Sequence, residues 1–342
     1  MLSEQKLDPI PNPSSTVLTV KDLSVDYRSR GNVVHALRNL SLSISEGEIL
    51  GVVGESGSGK TTLALAVSNL LIKKQTSFPG GEIDFLGTDM IRAKLRVINR
   101  LRGTRIFMIF QDPFLSLNPL MKIKRQVTEA INVRSKRASE KLEKRQADSE
   151  VASILKSVRI GDAEDVMERY PHQLSGGQNQ RIMLAMALAE KPSLLIADEP
   201  TTALDVTTQA QVLLLLKEIR EKSKMSIIYV THDLAVAASI SERIAVLYGG
   251  MVQEIGPARQ ILSDPKHPYT LGLIKSIPSK AKNEGPLDAI KGAFSWDDVG
   301  DVCAFAPRCP LARGACRKGI PALNQLGRTQ IRCINYGETY EQ

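Results

Sequence analysis

One short stretch restricts this chain more than any other: Gly54-Glu55-Ser56-Gly57-Ser58-Gly59-Lys60-Thr61-Thr62, a Gly-x4-Gly-Lys-Thr pattern. Its glycines let backbone N–H groups turn inward onto phosphate oxygens, and a helix opening near Lys60 adds its positive end. Such a loop needs a strand before it and a helix after it. Glu48 to Val53 supplies the strand, as a nearly continuous apolar run suited to burial on both faces of a parallel sheet. Further short apolar runs lie at Arg105 to Phe110, Ser193 to Ala197 and Ser226 to Val230, with helical stretches between them. The alternation predicts an α/β sheet with right-handed crossovers.

Val17 to Tyr27 and Leu40 to Ile44 alternate in the manner of half-buried strands and predict an antiparallel edge sheet. Between Asp112 and Pro171 strand signals vanish, while Met121 to Val133 and Ser149 to Val158 show helical spacing, predicting a helical insertion. Within it Arg134 to Glu150 carries opposite charges three or four residues apart, as on a solvated helix. Near Asp264-Pro265 and Pro278 to Pro286 the rise in Pro, Gly and charge marks a boundary before a separate C-terminal region. The expected organisation is a flexible N-terminus (1–16), a nucleotide-binding domain (17–262) with its helical part at about 112–172, and a C-terminal extension (263–342).

The apolar runs Ile182 to Ala189 and Val212 to Leu216 are well short of the roughly 20 residues that span a bilayer. Met1 to Ser15 lacks the basic and apolar blocks of a signal peptide, so a cytosolic location is expected. A net charge of +8 admits a nucleic-acid partner, a solvated basic surface or attraction to an anionic membrane leaflet. Scattered Lys and Arg with only 4% aromatic residues argue against a base-stacking platform.

Two further segments carry chemistry. Ser193-Leu194-Leu195-Ile196-Ala197-Asp198-Glu199-Pro200 is an apolar strand ending in two carboxylates, at the strand end where open α/β sheets collect ligands. There Asp198 can hold Mg²⁺ through its water shell, and Glu199 can orient and deprotonate an attacking water. Lys60 is placed to reach the β- and γ-phosphates, Thr61 to offer its hydroxyl to Mg²⁺, and Thr62 to donate to another phosphate oxygen. The second segment, Leu174-Ser175-Gly176-Gly177-Gln178, opens a helix whose N-terminus can bind another phosphate, with Ser175 as its cap.

Taken together and in this order, these motifs resemble the ATP-binding subunit of an ABC transporter. The resemblance implies a P-loop ABC ATPase with a RecA-like parallel-sheet core, an antiparallel β subdomain, a helical subdomain packed on membrane subunits and a small C-terminal Cys-rich extension. It implies ATP with Mg²⁺, bound at Gly54, Ser56, Gly57, Gly59, Lys60, Thr61, Thr62 and Asp198, with Tyr27 stacking on adenine. Gln111 in Phe110-Gln111-Asp112-Pro113 matches the glutamine that touches Mg²⁺ and water; Glu199 and His232, in Thr231-His232-Asp233, match the catalytic base and the γ-phosphate sensor. Ser175, Gly176, Gly177 and Gln178 would close over nucleotide held by a partner's loop, and Asp205 in Ala203-Leu204-Asp205 would carry communication between the halves. A second ATPase chain is therefore implied.

All four cysteines, Cys303, Cys309, Cys316 and Cys333, fall near the C-terminus in a C-x5-C-x6-C-x16-C pattern. A cytosolic location argues against disulfides. The pattern lacks the short knuckles of structural zinc, and four thiolates suit a [4Fe-4S] cluster equally. Cys303-Ala304-Phe305-Ala306-Pro307-Arg308-Cys309-Pro310, preceded by His267-Pro268-Tyr269-Thr270-Leu271-Gly272-Leu273, resembles the extension of the oligopeptide and dipeptide importer ATPases. That resemblance implies a structural [4Fe-4S] cluster on the four cysteines, with zinc as the alternative.

Arg102 to Phe110 and Ala197 to Thr207 are similar to the D-type ATPase of these importers; Gly177-Gln178-Asn179-Gln180-Arg181 departs from it, since Met and Arg more often follow the paired glycines there. The implied partners are an F-type ATPase, two transmembrane permeases and, indirectly, an external solute-binding protein. The implied place is the cytoplasmic face of the membrane, with no nucleic acid. Oligosaccharides or nickel are alternative cargoes. A soluble ABC ATPase acting on nucleic acid or ribosomes is the competing class, but the second cassette, long coiled coil or zinc insertion usual in such proteins is not found in the sequence.

Overall fold

The computed structural model describes residues 16–29, 32–112, 116–138, 143–202, 204–277, 290–296 and 299–337. The N-terminal segment Met1 to Ser15, Pro113, Ala203 and the Pro278 to Pro286 boundary lie outside the described residues.

The predicted edge sheet is present and larger than expected. β1 (Thr16–Ser29) pairs antiparallel with β2 (Asn32–Ser45) and with β4 (Thr76–Phe85), and β5 (Thr88–Asp89) adds a short edge, in the order β2-β1-β4-β5. A bulge between Val20 and Leu23, with Asp22 at φ 47°, moves the buried set of β1 from Leu18 and Val20 to Leu23 and Val25. One extra residue thus re-aims the strand without exposing its apolar side.

The central sheet has the order β11-β12-β10-β9-β3-β8-β7-β6. Its parallel part comprises β3 (Ile49–Val53), β6 (Ile106–Ile109), β7 (Leu194–Asp198), β8 (Ser226–Thr231) and β9 (Arg243–Tyr248). Apolar residues fill both faces of these strands because successive side chains serve different cores. Leu194 and Ile196 pack toward the antiparallel sheet, whereas Leu195 and Ala197 pack toward the helical insertion. Each such Leu or Ile, fully buried, contributes about 1.5–3 kcal/mol.

Two expectations need correction. The core sheet is mixed, not parallel throughout: β10 (Met251–Pro257), β11 (Asn324–Leu326) and β12 (Thr329–Ile331) run antiparallel. The C-terminal region is also not set apart, because β12 pairs with β10 through Glu254↔Ile331 and Ile255↔Gln330 and so extends the central sheet.

α1 (Lys60–Val67) follows β3, and α2 (Leu95–Leu101) precedes β6. The helical insertion comprises α3 (Ile123–Ala138), α4 (Lys144–Ser157) and α5 (Ala163–Glu168). The charged stretch from Arg134 to Glu150 is thus two helices instead of one, and Arg134 pairs with Glu150 across them at 2.8 Å. α6 (Gly176–Glu190), α7 (Val206–Ser223) and α8 (Leu234–Ile240) connect the parallel strands, and α9 (Ala258–Ser263) and α10 (Pro268–Lys275) lead into the C-terminal region.

Candidate functional site

Three parallel strands deliver the candidate residues to one edge of the sheet. Val53 aligns with Thr231 and Asp198 with Val230, so the glycine loop, the acidic pair and His232 leave β3, β7 and β8 at the same level. Crossover connections leave this carboxyl edge open to a ligand.

The loop is tightly built. Gly59, at φ 102°, caps α1 in a conformation that a side chain disfavours. At Gly54 a Cβ atom would stand 2.2 Å from the Leu247 carbonyl oxygen, so the loop lies against β9 without room for a methyl group. Lys60 is 5% exposed and its Nζ donates to the carbonyls of Gly54 (2.8 Å) and Glu55 (2.9 Å), which seats the ammonium inside the loop. Burial lowers its pKa, against the opposing fields of Glu199, Asp198 and Glu55.

Asp198 accepts from Thr61 Oγ1 at 3.4 Å, and burial raises its pKa, with the Thr61 bond acting the other way and Glu199 adding to the rise. Tyr27 Oη lies 3.3 Å from Thr62 Oγ1, which ties β1 of the antiparallel sheet to the start of α1.

Glu199 sits at φ 46°, an uncommon conformation for a residue with a side chain, while its N–H donates to the Val230 carbonyl at 2.9 Å. Its Oε2 is a junction: Gln111 Nε2 donates at 3.3 Å, Thr202 Oγ1 donates at 2.9 Å, and His232 Nδ1 lies 3.2 Å away. Thr202 was not singled out from sequence, and its position three residues past Glu199 in a turn is the only local signal for it.

A cavity of about 810 Å³ opens over these groups. Tyr27, Ser56, Gly57, Gly59, Lys60, Thr61, Thr62, Gln111, Glu199 and His232 line it, joined by Trp296 and Leu273 of the C-terminal region. Gly54 and Asp198 support it without lining it.

The remaining candidates gather elsewhere. Ser175 caps α6: its Oγ accepts from Gln178 N–H at 3.2 Å, and its own N–H donates to Gln178 Oε1 at 3.0 Å. Asp205 caps α7, accepting from Thr208 N–H (3.0 Å) and Thr208 Oγ1 (2.6 Å), and these bonds hold its carboxyl below the usual range. A Cβ at Gly177 would stand 2.7 Å from Thr208 Cγ2, so the starts of α6 and α7 pack on one another. Ser175, Gly176, Gly177, Gln178 and Asp205 do not line the cavity of their own chain.

All four cysteines are free thiols, and Cys303 N–H donates to the Cys316 carbonyl at 3.2 Å. Burial pushes the Cys303 thiol up to about 11, and the fields of Cys316, Cys333 and Cys309 add to the rise, so the four sulfurs share one neighbourhood. Among the described residues, however, no three His, Cys, Asp or Glu side chains group to hold a metal ion. The grouping expected of a [4Fe-4S] or zinc site on Cys303, Cys309, Cys316 and Cys333 is thus not shown by the described side chains. Among the described residues no helix is long and apolar enough to cross a membrane.

The ABC transporter profile matches residues 37–202, and the profile for the oligopeptide/dipeptide transporter C-terminal region matches residues 253–316. The dipeptide transport ATP-binding protein DppD of Haemophilus influenzae is 41% identical over 318 residues, which span 93% of this chain and 94% of that one. The chain belongs to the ABC transporter ATP-binding proteins. The oligopeptide transport ATP-binding protein OppD of Bacillus subtilis is 44% identical over 277 residues, 81% of this chain and 76% of that one. A dimeric structure of the ATP-binding cassette MJ0796 in a post-hydrolysis state with ADP and Pi superposes with a TM-score of 0.63 at 28% identity, covering 71% of this chain and 99% of that chain.

An ABC ATPase hydrolyses ATP with Mg²⁺, and the donors here suit both. The loop and the α1 N-terminus present N–H groups and an ammonium to phosphate oxygens. Mg²⁺ is usually held by one or two carboxylates with waters and substrate phosphates, so a closed protein cage is not required. Asp198 and Thr61 offer hard oxygens, and the burial that disfavours a bare Asp198 carboxylate is offset by a cation beside it.

Proposed function

We propose that this chain is the ATP-hydrolysing subunit of a membrane importer for dipeptides or oligopeptides. One observation carries the reading: Glu199, its Oε2 surrounded by Gln111, Thr202 and His232, faces the cavity of a phosphate-binding loop in a chain that also carries an oligopeptide/dipeptide transporter C-terminal region. Glu199 orients and deprotonates the attacking water. Gln111 reaches water and Mg²⁺, His232 senses the γ-phosphate, and Asp198 and Thr61 hold Mg²⁺. Lys60 and Thr62, with Gly54, Ser56, Gly57 and Gly59, hold the phosphates, and Tyr27 stacks on the base.

Ser175, Gly176, Gly177 and Gln178 serve the nucleotide of a second ATPase chain. Support comes from their position off the cavity of their own chain and from the dimeric state of the similar cassette. The partner is an F-type ATPase, and the pair sits on the cytoplasmic face of the membrane beneath two permeases fed by a solute-binding protein. Asp205, capping the helix packed on Gly177, carries the state of one half to the other. ATP stabilises the closed pair and hydrolysis releases it, which is the differential binding needed to move permeases.

The Cys-rich extension carries a structural [4Fe-4S] cluster. Cys303, Cys309, Cys316 and Cys333 would hold it and it would brace the extension, a reading supported by the fields that the other three thiols exert on Cys303.

Glu199→Gln tests the central assignment. ATP affinity should stay within about threefold, while steady-state hydrolysis falls at least about 10²-fold, the scale of a lost general base. Turnover near the unmodified rate would remove Glu199 from the chemistry.

A further inference from the structure

The phosphate-binding loop contains a charge that works against its task. Glu55, its second residue, lines the cavity in which a triphosphate would lie. An uncompensated carboxylate there repels phosphate, and the repulsion is largest where solvent screening is poor.

Arg308, between Pro307 and Cys309 of the Cys-rich segment, answers it from the far end of the sequence. Its Nη1 donates to Glu55 Oε2 at 2.7 Å and its Nη2 to Glu55 Oε1 at 3.2 Å, a two-pronged contact. The rest of the guanidinium is committed to fixed partners: Nε donates to the Lys291 carbonyl (3.0 Å), Nη2 to the Gly292 carbonyl (2.9 Å) and Nη1 to Tyr248 Oη (3.2 Å). The side chain is 8% exposed and lies over the Tyr248 ring, 5.7 Å from its centroid. Glu55 is held on its other sides as well. Its N–H donates to Tyr269 Oη at 2.9 Å, and its carbonyl receives Lys60 Nζ. A continuous path of polar contacts therefore runs from the Cys-rich segment through Glu55 to Lys60.

We infer that Arg308 is a positioning residue for nucleotide binding, which cancels the charge of Glu55 and fixes its carboxylate away from the phosphates. The C-terminal region thereby sets the affinity of the loop for ATP. This rests on the reading of the cavity as the ATP site.

The experiment measures ATP binding by calorimetry in the full-length unmodified protein, Arg308→Ala, Glu55→Gln and the double variant, with thermal melts to establish folding. Arg308→Ala should weaken ATP about tenfold or more by baring Glu55. Glu55→Gln sets its own reference affinity, and the double variant should recover to that level because no charge remains for Arg308 to cancel. A general brace would show no such recovery. Arg308→Gln serves the same comparison if the Ala variant does not fold. Arg308 variants within twofold of the unmodified protein, or a double variant as weak as Arg308→Ala, overturn the inference. Failure of the unmodified protein to bind ATP would instead refute the reading of the site itself.

Discussion

His267 should make this protein lose stability in mild acid. Its ring is 1% exposed, packs 5.9 Å from the Phe305 ring centroid, and caps α10 by accepting from Tyr269 N–H through Nδ1 at 3.1 Å. Accepting at Nδ1 requires the neutral ring. Burial lowers its pKa to about 3; the Arg332 charge acts in the same sense, opposed by a hydrogen bond with the Arg332 backbone. The unfolded chain takes up the proton near pH 6.5, so the contribution of His267 is complete above about pH 7.5 and drains as pH falls from 6.5 toward 3. At pH 5 the unfolded ring lies about 1.5 units below its midpoint while the folded ring is still neutral, and the loss is about 2 kcal/mol at 1.36 kcal/mol per unit.

Glu254, whose carboxylate accepts from His267 N–H at 3.0 Å and whose pKa burial raises, is present in both proteins, so its contribution cancels in the comparison. Asn is a good helix cap with an oxygen in place of Nδ1, and it does not titrate. Urea unfolding of the unmodified protein and His267→Asn at pH 7.5 and pH 5 should show the extra loss of about 2 kcal/mol only in the unmodified protein. An equal loss in both would show that His267 does not govern the acid sensitivity.

Tyr27→Ala should raise the KM for ATP about tenfold with kcat nearly unchanged, as base stacking of about 1–3 kcal/mol is removed from ground state and transition state alike; a fall in kcat at constant KM would contradict the stacking role. Gly54→Ala forces a methyl group onto the Leu247 carbonyl, so the loop must move, and both ATP binding and the melting temperature should fall, by about 1–3 kcal/mol in stability. Unchanged ATP binding would mean that the loop tolerates the shift. Protein purified without oxygen should contain about four irons per chain, lost in Cys309→Ser. Zinc, or no metal in folded protein that binds ATP, would remove the cluster from the proposal.

The parts of the fold that sequence made visible share a physical cause. β3, β7 and β8 are buried on both faces, so each is a short apolar run, and the phosphate loop follows one of them with little latitude in residue type. β10 was hidden by its own core, where Gln253 and Glu254 are buried polar residues. Gln253 donates to the Tyr248 carbonyl, and Glu254 accepts from the N–H groups of Lys266 and His267. β4 contains Phe78-Pro79-Gly80-Gly81, which reads as a turn and is accommodated where β1 shifts register between Lys21 and Ser24. In the site, Lys60, Asp198 and Glu199 were legible because local spacing dictates their neighbours. Arg308 was not, because its meaning lies in a contact with Glu55 that only the folded chain creates.

The pairing of β12 with β10 also orders events during synthesis. Until Thr329–Ile331 has been made, that edge of β10 carries unpaired N–H and C=O groups and is free to recruit a strand from another chain. That edge of the central sheet thus stays open until Thr329–Ile331 is made, and a chain cut before Thr329 presents a sticky margin in place of a finished edge.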